Sequence, residues 1–260
     1  MSDAVQCVEC GHALGGPVRN FCPGCGQPAT ARRIDWTYLA EQVRHGVLNL
    51  ERGLGYSLRN LLLRPGRLMR DYIEGRRARQ VRPLPLLLLG AAAVVLVGRV
   101  AAGGDVIGSA VLAGVEMSGN PDPDAVLAAQ DSARAVQAWA NRHFAAITLL
   151  LLPVEALALR VAFHRVGGLN YPEWLVISTF VTVQAFMFWI AGLLLQRWIP
   201  GATGWAMSCA IAFQLFSLAQ FFAGYPWWKS VLRGALGLCL YTVVQSAITL
   251  AAFAVAALVR

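Results

Sequence analysis

Three long stretches of this chain carry no charge at all: residues 83–98, 174–196 and 204–222. Two more, 143–163 and 231–259, are interrupted only by Glu155, Arg160 and Arg233. A helix rises ~1.5 Å per residue, so about 20 apolar residues cross the hydrocarbon of a bilayer. In lipid every backbone N–H and C=O must be satisfied within the segment, and runs of this kind therefore fold as helices. The sequence predicts an all-α polytopic membrane protein with about five transmembrane helices, at 84–102, 143–163, 174–196, 204–222 and 231–259. Composition agrees. Only 14% of the residues are charged and 57% are hydrophobic, where soluble domains carry roughly 25% charged residues.

The charges that exist are unevenly placed. Residues 51–82 hold nine arginines against Glu51, Asp71 and Glu74, a net +6. Residues 103–142 hold five acids against Arg134 and Arg142, a net −3. Loops rich in Arg and Lys stay on the cytoplasmic side. The N-terminus is thus expected in the cytoplasm, and 103–142 outside it. A nucleic-acid partner would also suit the overall +8, but the basic run abuts an apolar run. A membrane surface with anionic headgroups is the nearer partner, and no nucleic acid is expected. The location expected is the cell inner (plasma) membrane.

Ahead of the basic run lie two CxxC pairs, Cys7-x2-Cys10 and Cys22-x2-Cys25, with Gly11 and Gly26 directly behind them. A CxxC turn aims backbone amides at its sulfurs, and the following glycine closes the turn in the left-handed conformation. Two facing turns make a four-thiolate cage, the arrangement of structural zinc, which leaves no open position for a substrate. Disulfides and iron are the alternatives. The cytosol is reducing, which argues against disulfides. His12 is a further polar loop residue nearby. A head of residues 1–31 is too small for a core of its own, so metal must supply its folding energy.

Residues 32–82 form a juxtamembrane region. Trp36, Leu39, Val43, Val47, Leu50, Leu54, Leu58 and Leu61 recur every three or four residues, the mark of an amphipathic helix. Asp35 is placed to cap it. Gly46, Gly53 and Gly55 invite a bend or a division into two helices. The apolar face lies either on the membrane or against the rest of the protein. Arg64-Pro65-Gly66 ends this helix, and a second runs from about residue 67 to 74 and stops at Gly75. Arg64, Arg67, Arg70, Arg76, Arg77, Arg79 and Arg82 then form a collar before the first span. The collar reads as a topology signal or as a site for lipid or a protein partner.

The order CxxCG, Phe21-Cys-x2-Cys-Gly-Gln27, then Leu62-Leu63-Arg64-Pro65-Gly66-x3-Arg70-x-Tyr72-x2-Gly75-Arg76-Arg77 resembles a domain-of-unknown-function family of bacterial integral membrane proteins. Members join a cysteine ribbon to an LLxRPGxxxRxYxxGRR segment and then to several membrane helices. The resemblance is best over residues 7–90 and implies a cytoplasmic ribbon on a membrane bundle. It implies no activity. One departure is Val81-Arg82-Pro83, where an aromatic often precedes the proline.

Within the membrane part, 83–260, Asn170-Tyr171-Pro172-Glu173 has the spacing of a capping box. Residues 106–115 are apolar but too short to cross, and 124–141 suit a helix. Glu155, Gln184, Gln214 and Gln245 each fall near the middle of a different span, where polar groups normally face the interior. They are expected to form a polar midplane site or to act as hydrogen-bond glue between helices. No HExxH, paired aspartates, Ser–His arrangement or phosphate loop is present, so no enzyme is expected. Two functions remain: a membrane scaffold or assembly factor presenting its ribbon, and a small-solute, proton-linked or lipid transporter around Glu155.

Overall fold

The computed structural model describes residues 6–14, 21–28, 33–45, 53–101, 103 and 123–258. The described residues form helices and isolated bridges but no strand. The helices are α1 (Trp36–His45), α2 (Leu54–Leu63), α3 (Pro65–Ile73), α4 (Pro83–Ala101), α5 (Pro123–Arg142), α6 (Phe144–Ala162), α7 (Tyr171–Leu195), α8 (Ala202–Phe221) and α9 (Trp227–Leu258). The interfacial piece expected at 106–115 lies outside the described residues.

Local chemistry sets the helix ends. Asp35 Oδ1 accepts the Tyr38 N–H at 2.8 Å at the start of α1. Asn170 and Glu173 make the expected capping box on α7. Pro65 sits in the first turn of α3, where its missing N–H costs nothing. Behind α3, Gly75 adopts φ 97°, which a residue with a Cβ rarely takes. The described residues of the amphipathic stretch form α1 and α2, and Arg64 alone separates α2 from α3.

Five helices, α4 and α6 to α9, are long and apolar enough to cross a membrane. The central one is α7, which packs against α4, α6 and α8. More than half of its most apolar stretch is buried, 56%, against 11% for α9 at the periphery. Aromatic rings close the end of the bundle nearest the collar. Phe163 stacks on Phe222 at 4.6 Å, with Trp174 5.6 Å from Phe163.

The α2–α3 hairpin is wedged into that end rather than laid flat beneath it. Leu61, Leu68, Met69 and Tyr72 are all buried in the main core. Each such side chain contributes roughly 1.5–3 kcal/mol relative to exposure in water. Leu62 and Leu63 face outward, as does Tyr56. The part of the amphipathic face carried by Leu54, Leu58 and Leu61 therefore packs against the rest of the protein. Gly66 shows why the break contains a glycine. A Cβ there would lie 2.3 Å from the Phe221 N and 2.5 Å from the Gln220 C. The missing side chain lets α3 touch the backbone of α8, and the Gly66 N–H donates to Gln220 Oε1 at 2.8 Å.

Candidate metal centre and its collar

Each CxxC pair folds as a tight knuckle. The Gly11 N–H donates to the Cys7 carbonyl at 2.8 Å, and the Gly26 N–H to the Cys22 carbonyl at 2.9 Å. Gly11 and Gly26 take φ of 72° and 74° to close these turns. Isolated bridges, Gln6–Ala13 and Phe21–Pro28, seal the base of each knuckle.

The knuckles bring all four sulfurs within 4.8 Å of one another. Cys7 Sγ lies 3.6 Å from Cys25 Sγ, and Cys10 Sγ lies 3.6 Å from Cys22 Sγ. Both separations exceed the ~2.05 Å of a disulfide. They are close to the edge of about 3.8 Å expected for a tetrahedron of sulfurs ~2.3 Å from zinc. The donor set and its geometry therefore fit one tetrahedral metal ion. His12 stays outside the cluster, although its carbonyl accepts the Cys7 N–H at 2.9 Å. At Cys22, removal from solvent opposes the thiolate, but N–H groups of Gly24 and Cys25, together with the neighbouring Cys10 and Cys7 thiols, outweigh it and hold the thiol down at about 7. Burial pushes Cys25 the other way, up to about 12.

The head is fastened to the rest of the protein at two points. Gln27, the second residue after Cys25, is 3% exposed. Its Nε2 donates to the Gly75 carbonyl, and its Oε1 accepts the Arg77 N–H at 3.3 Å. One amide thus holds both sides of the turn that leads out of α3. The second fastening, just beyond the head, is Arg33. Its Nε and one terminal nitrogen donate to the Glu173 carboxylate at 2.8 and 3.0 Å, and it also reaches the Gly168 carbonyl at 2.8 Å. The carboxylate raises the guanidinium above its ordinary value. Beside it, Asn170 donates to the Ile34 carbonyl at 2.9 Å. The sequence motif contained Gln27, but its partner lies 48 residues away. Nothing in the spacing pointed to Arg33 or to Glu173 as its partner.

The seven arginines of the collar do not act as one patch. Arg70 donates to the carbonyls of Gln220 and Phe221, satisfying the last turn of α8. Arg76 pairs with Asp71 and Glu74. Arg77 donates to the Tyr72 carbonyl at 2.8 Å and lies over the rings of Tyr38 and Tyr72 at 4.5 and 5.1 Å. These three belong to the packing, because each finds an acceptor within a few residues or on the facing helix end. Arg64, Arg67, Arg79 and Arg82 are exposed, and their side chains make no hydrogen bond or ion pair among the described residues.

The four midplane residues do not converge either. Glu155 is buried between α6 and α7 and accepts from the Thr182 hydroxyl at 2.8 Å. No basic side chain pairs with it among the described residues. Gln184 faces the other way and donates to Ser217 Oγ at 3.0 Å and to the Leu61 carbonyl at 3.3 Å. It thereby ties the α2 end to α7 and α8. Gln214 donates to the Val181 carbonyl at 3.0 Å. Gln245 corrects the expectation that all four face inward: it is exposed on α9. Depth in a span is readable from sequence, but the direction a helix turns each residue is set by its neighbours.

Such an architecture defines a multi-pass membrane protein with a four-cysteine cluster, able to hold a metal ion, at one end of its bundle. Over residues 51–95 the chain matches a family model described as a protein of unknown function (DUF3667). The match takes in α2, α3 and most of α4, and it does not reach the cysteines. No curated protein and no solved structure matches the chain.

Proposed function

We propose that the protein is a membrane scaffold or assembly factor that presents its metal-holding ribbon to a protein partner on the cytoplasmic side of the cell inner membrane. The observation that carries this reading is the way the head is mounted. Gln27 clamps one side of the ribbon to the collar, while Phe21 and Val8 on the knuckles stay 62% and 45% exposed. Apolar side chains held outward on a fixed mount are the elements of a docking surface. Zinc suits the four thiolates, and its part here is structural: with all four positions taken by cysteine, it would hold the knuckles and offer no open site. The reading assigns no catalysis to the chain. Arg64, Arg67, Arg79 and Arg82 would hold the mount against anionic headgroups, each contributing about 1 kcal/mol.

The test is a cross-linking pulldown from native membranes with the full chain carrying Val8→Ser and Phe21→Ser. Partners that disappear from the variant while its metal content is unchanged support the reading. An unchanged set of partners overturns it.

A second reading rests on Glu155, a buried carboxyl with a hydroxyl donor and no cation beside it among the described residues. It makes the bundle a proton-linked carrier of a small solute or lipid. Glu155→Gln keeps the acceptor for Thr182 and removes the titrating group. Abolished transport with unchanged folding would favour this reading, and an active Glu155→Gln protein would remove it.

A further inference from the structure

One stretch of α9 is left open among the described residues. Residues Thr242 through Ile248 are exposed without interruption. Seven successive residues make about two turns, so this exposure runs round the whole circumference of the helix. Val243 is 61% exposed, Ile248 47% and Leu250 68%. For most of these side chains lipid is an adequate neighbour.

Gln245 is different. It lies six residues before Ala251, within the stretch of α9 that can cross a membrane. The hydroxyls of Thr242 and Thr249 return to carbonyls of their own helix, those of Leu238 and Gln245. The side-chain amide of Gln245 makes no hydrogen bond among the described residues. Water-to-cyclohexane transfer puts the cost of such an amide at about 4–8 kcal/mol. The side-chain N–H groups of Gln184 and Gln214, by contrast, donate across to facing helices.

A primary amide is self-complementary, with N–H donors and a carbonyl acceptor on one carbon. Two copies inserted the same way place their Gln245 residues at one depth. A twofold axis between them lets each Nε2 donate to the other Oε1, an isologous contact closed on itself. Thr242 and Ile248, three residues to either side, share that face of the helix. A different partner would need its own matching group at that depth, whereas a second copy supplies it by symmetry. We propose that the outer half of α9 pairs in parallel with α9 of a second copy of this chain, with Gln245 hydrogen-bonded to Gln245 across the axis. A single polar residue in an apolar helix seam also fixes register and partner number.

The experiment uses the full chain, fluorescently labelled and reconstituted into liposomes at a series of protein-to-lipid ratios. Photobleaching steps are counted in single vesicles. The expected result is a dimer whose dissociation is about tenfold easier in Gln245→Leu, the loss of roughly 1–2 kcal/mol of interhelical hydrogen bonding. Gln245→Asn keeps the amide and is expected to stay dimeric. Since the position is exposed, folding is checked independently through resistance to protease and metal content. A wild-type chain that is monomeric at every ratio overturns the proposal. So does an unchanged dimer in Gln245→Leu. Loss of the dimer in both variants would assign pairing to side-chain shape and overturn the amide contact.

Discussion

At the scale of single residues, the collar end is held by groups with no alternative. Gly66 has the backbone of Gln220 and Phe221 where a Cβ would go, and main chain cannot move aside as the tip of a side chain can. Gly66→Ala is expected to destabilise the protein by about 1–3 kcal/mol or more through overpacking. Gly55, also in a short helix of the collar, has nothing within 4 Å of its Cβ position. Gly55→Ala should instead be neutral or stabilising by about 0.4–1 kcal/mol. Thermal unfolding of the two variants in detergent checks the contrast, and equal effects would refute the backbone contact. Gln27→Ala leaves the Gly75 carbonyl and the Arg77 N–H without their partner, a cost of about 1–3 kcal/mol. Hydrogen exchange at the Arg77 amide should rise, while exchange in the middle of α7 stays unchanged.

At the scale of elements, the four cysteines are placed to hold an ion, and the ribbon is expected to need it where the bundle is not. Every ligand must be a thiolate, so protons compete with the metal. Cys22 sits below its ordinary value of 9.0, at about 7. At Cys22 the lowered value favours the thiolate above 9.0, and that advantage disappears as the pH falls through about 7, while Cys25, pushed up to about 12, works against it. Metal content measured after equilibration between pH 8 and pH 5 is expected to drop across the acidic half of that range. Retention of a full equivalent at pH 5 would count against thiolate ligation. The helices respond differently because their hydrogen bonds are internal. α3 shows how short an element can be when tertiary contacts carry it: at 9 residues it is below the ~12–15 at which isolated helices become marginal. It persists because Leu68, Met69 and Tyr72 are buried and Arg70 reaches across to α8.

For the whole molecule, the head and the bundle are joined through polar contacts of long sequence separation. Arg33 with Glu173, Asn170 with Ile34, and Gln27 with Gly75 and Arg77 make the mount. A chain lacking residues 1–31 keeps α1 to α9 but loses the clamp on the turn after α3. Trypsin should then cut sooner at Arg76, Arg77 and Arg79, with the fragments identified by mass spectrometry. Cleavage no faster than in the intact chain would mean that the head does not cover this turn. The mount also explains the division of the collar. Arginines turned toward the bundle or along their own turn found acceptors, and those turned outward stay exposed.

The sequence alone determined everything that repeats or is local. Apolar runs of bilayer length specified five helices, the CxxCG spacing specified the sulfur cage, and Arg64-Pro65-Gly66, Gly75 and Asn170 specified where helices break and begin. These signals survive because backbone sterics, hydrogen bonding and chain length act within a few residues. Only the tertiary structure decided which way each side chain points. It turned Glu155, Gln184 and Gln214 into three separate contacts, left Gln245 outside, and set Arg70, Arg76 and Arg77 apart from their four neighbours. It also gave Gln27 its partner. The physical reason is that helix rotation and approach are fixed by packing between segments far apart in the chain, as at Gly66 against α8, and no local pattern encodes them.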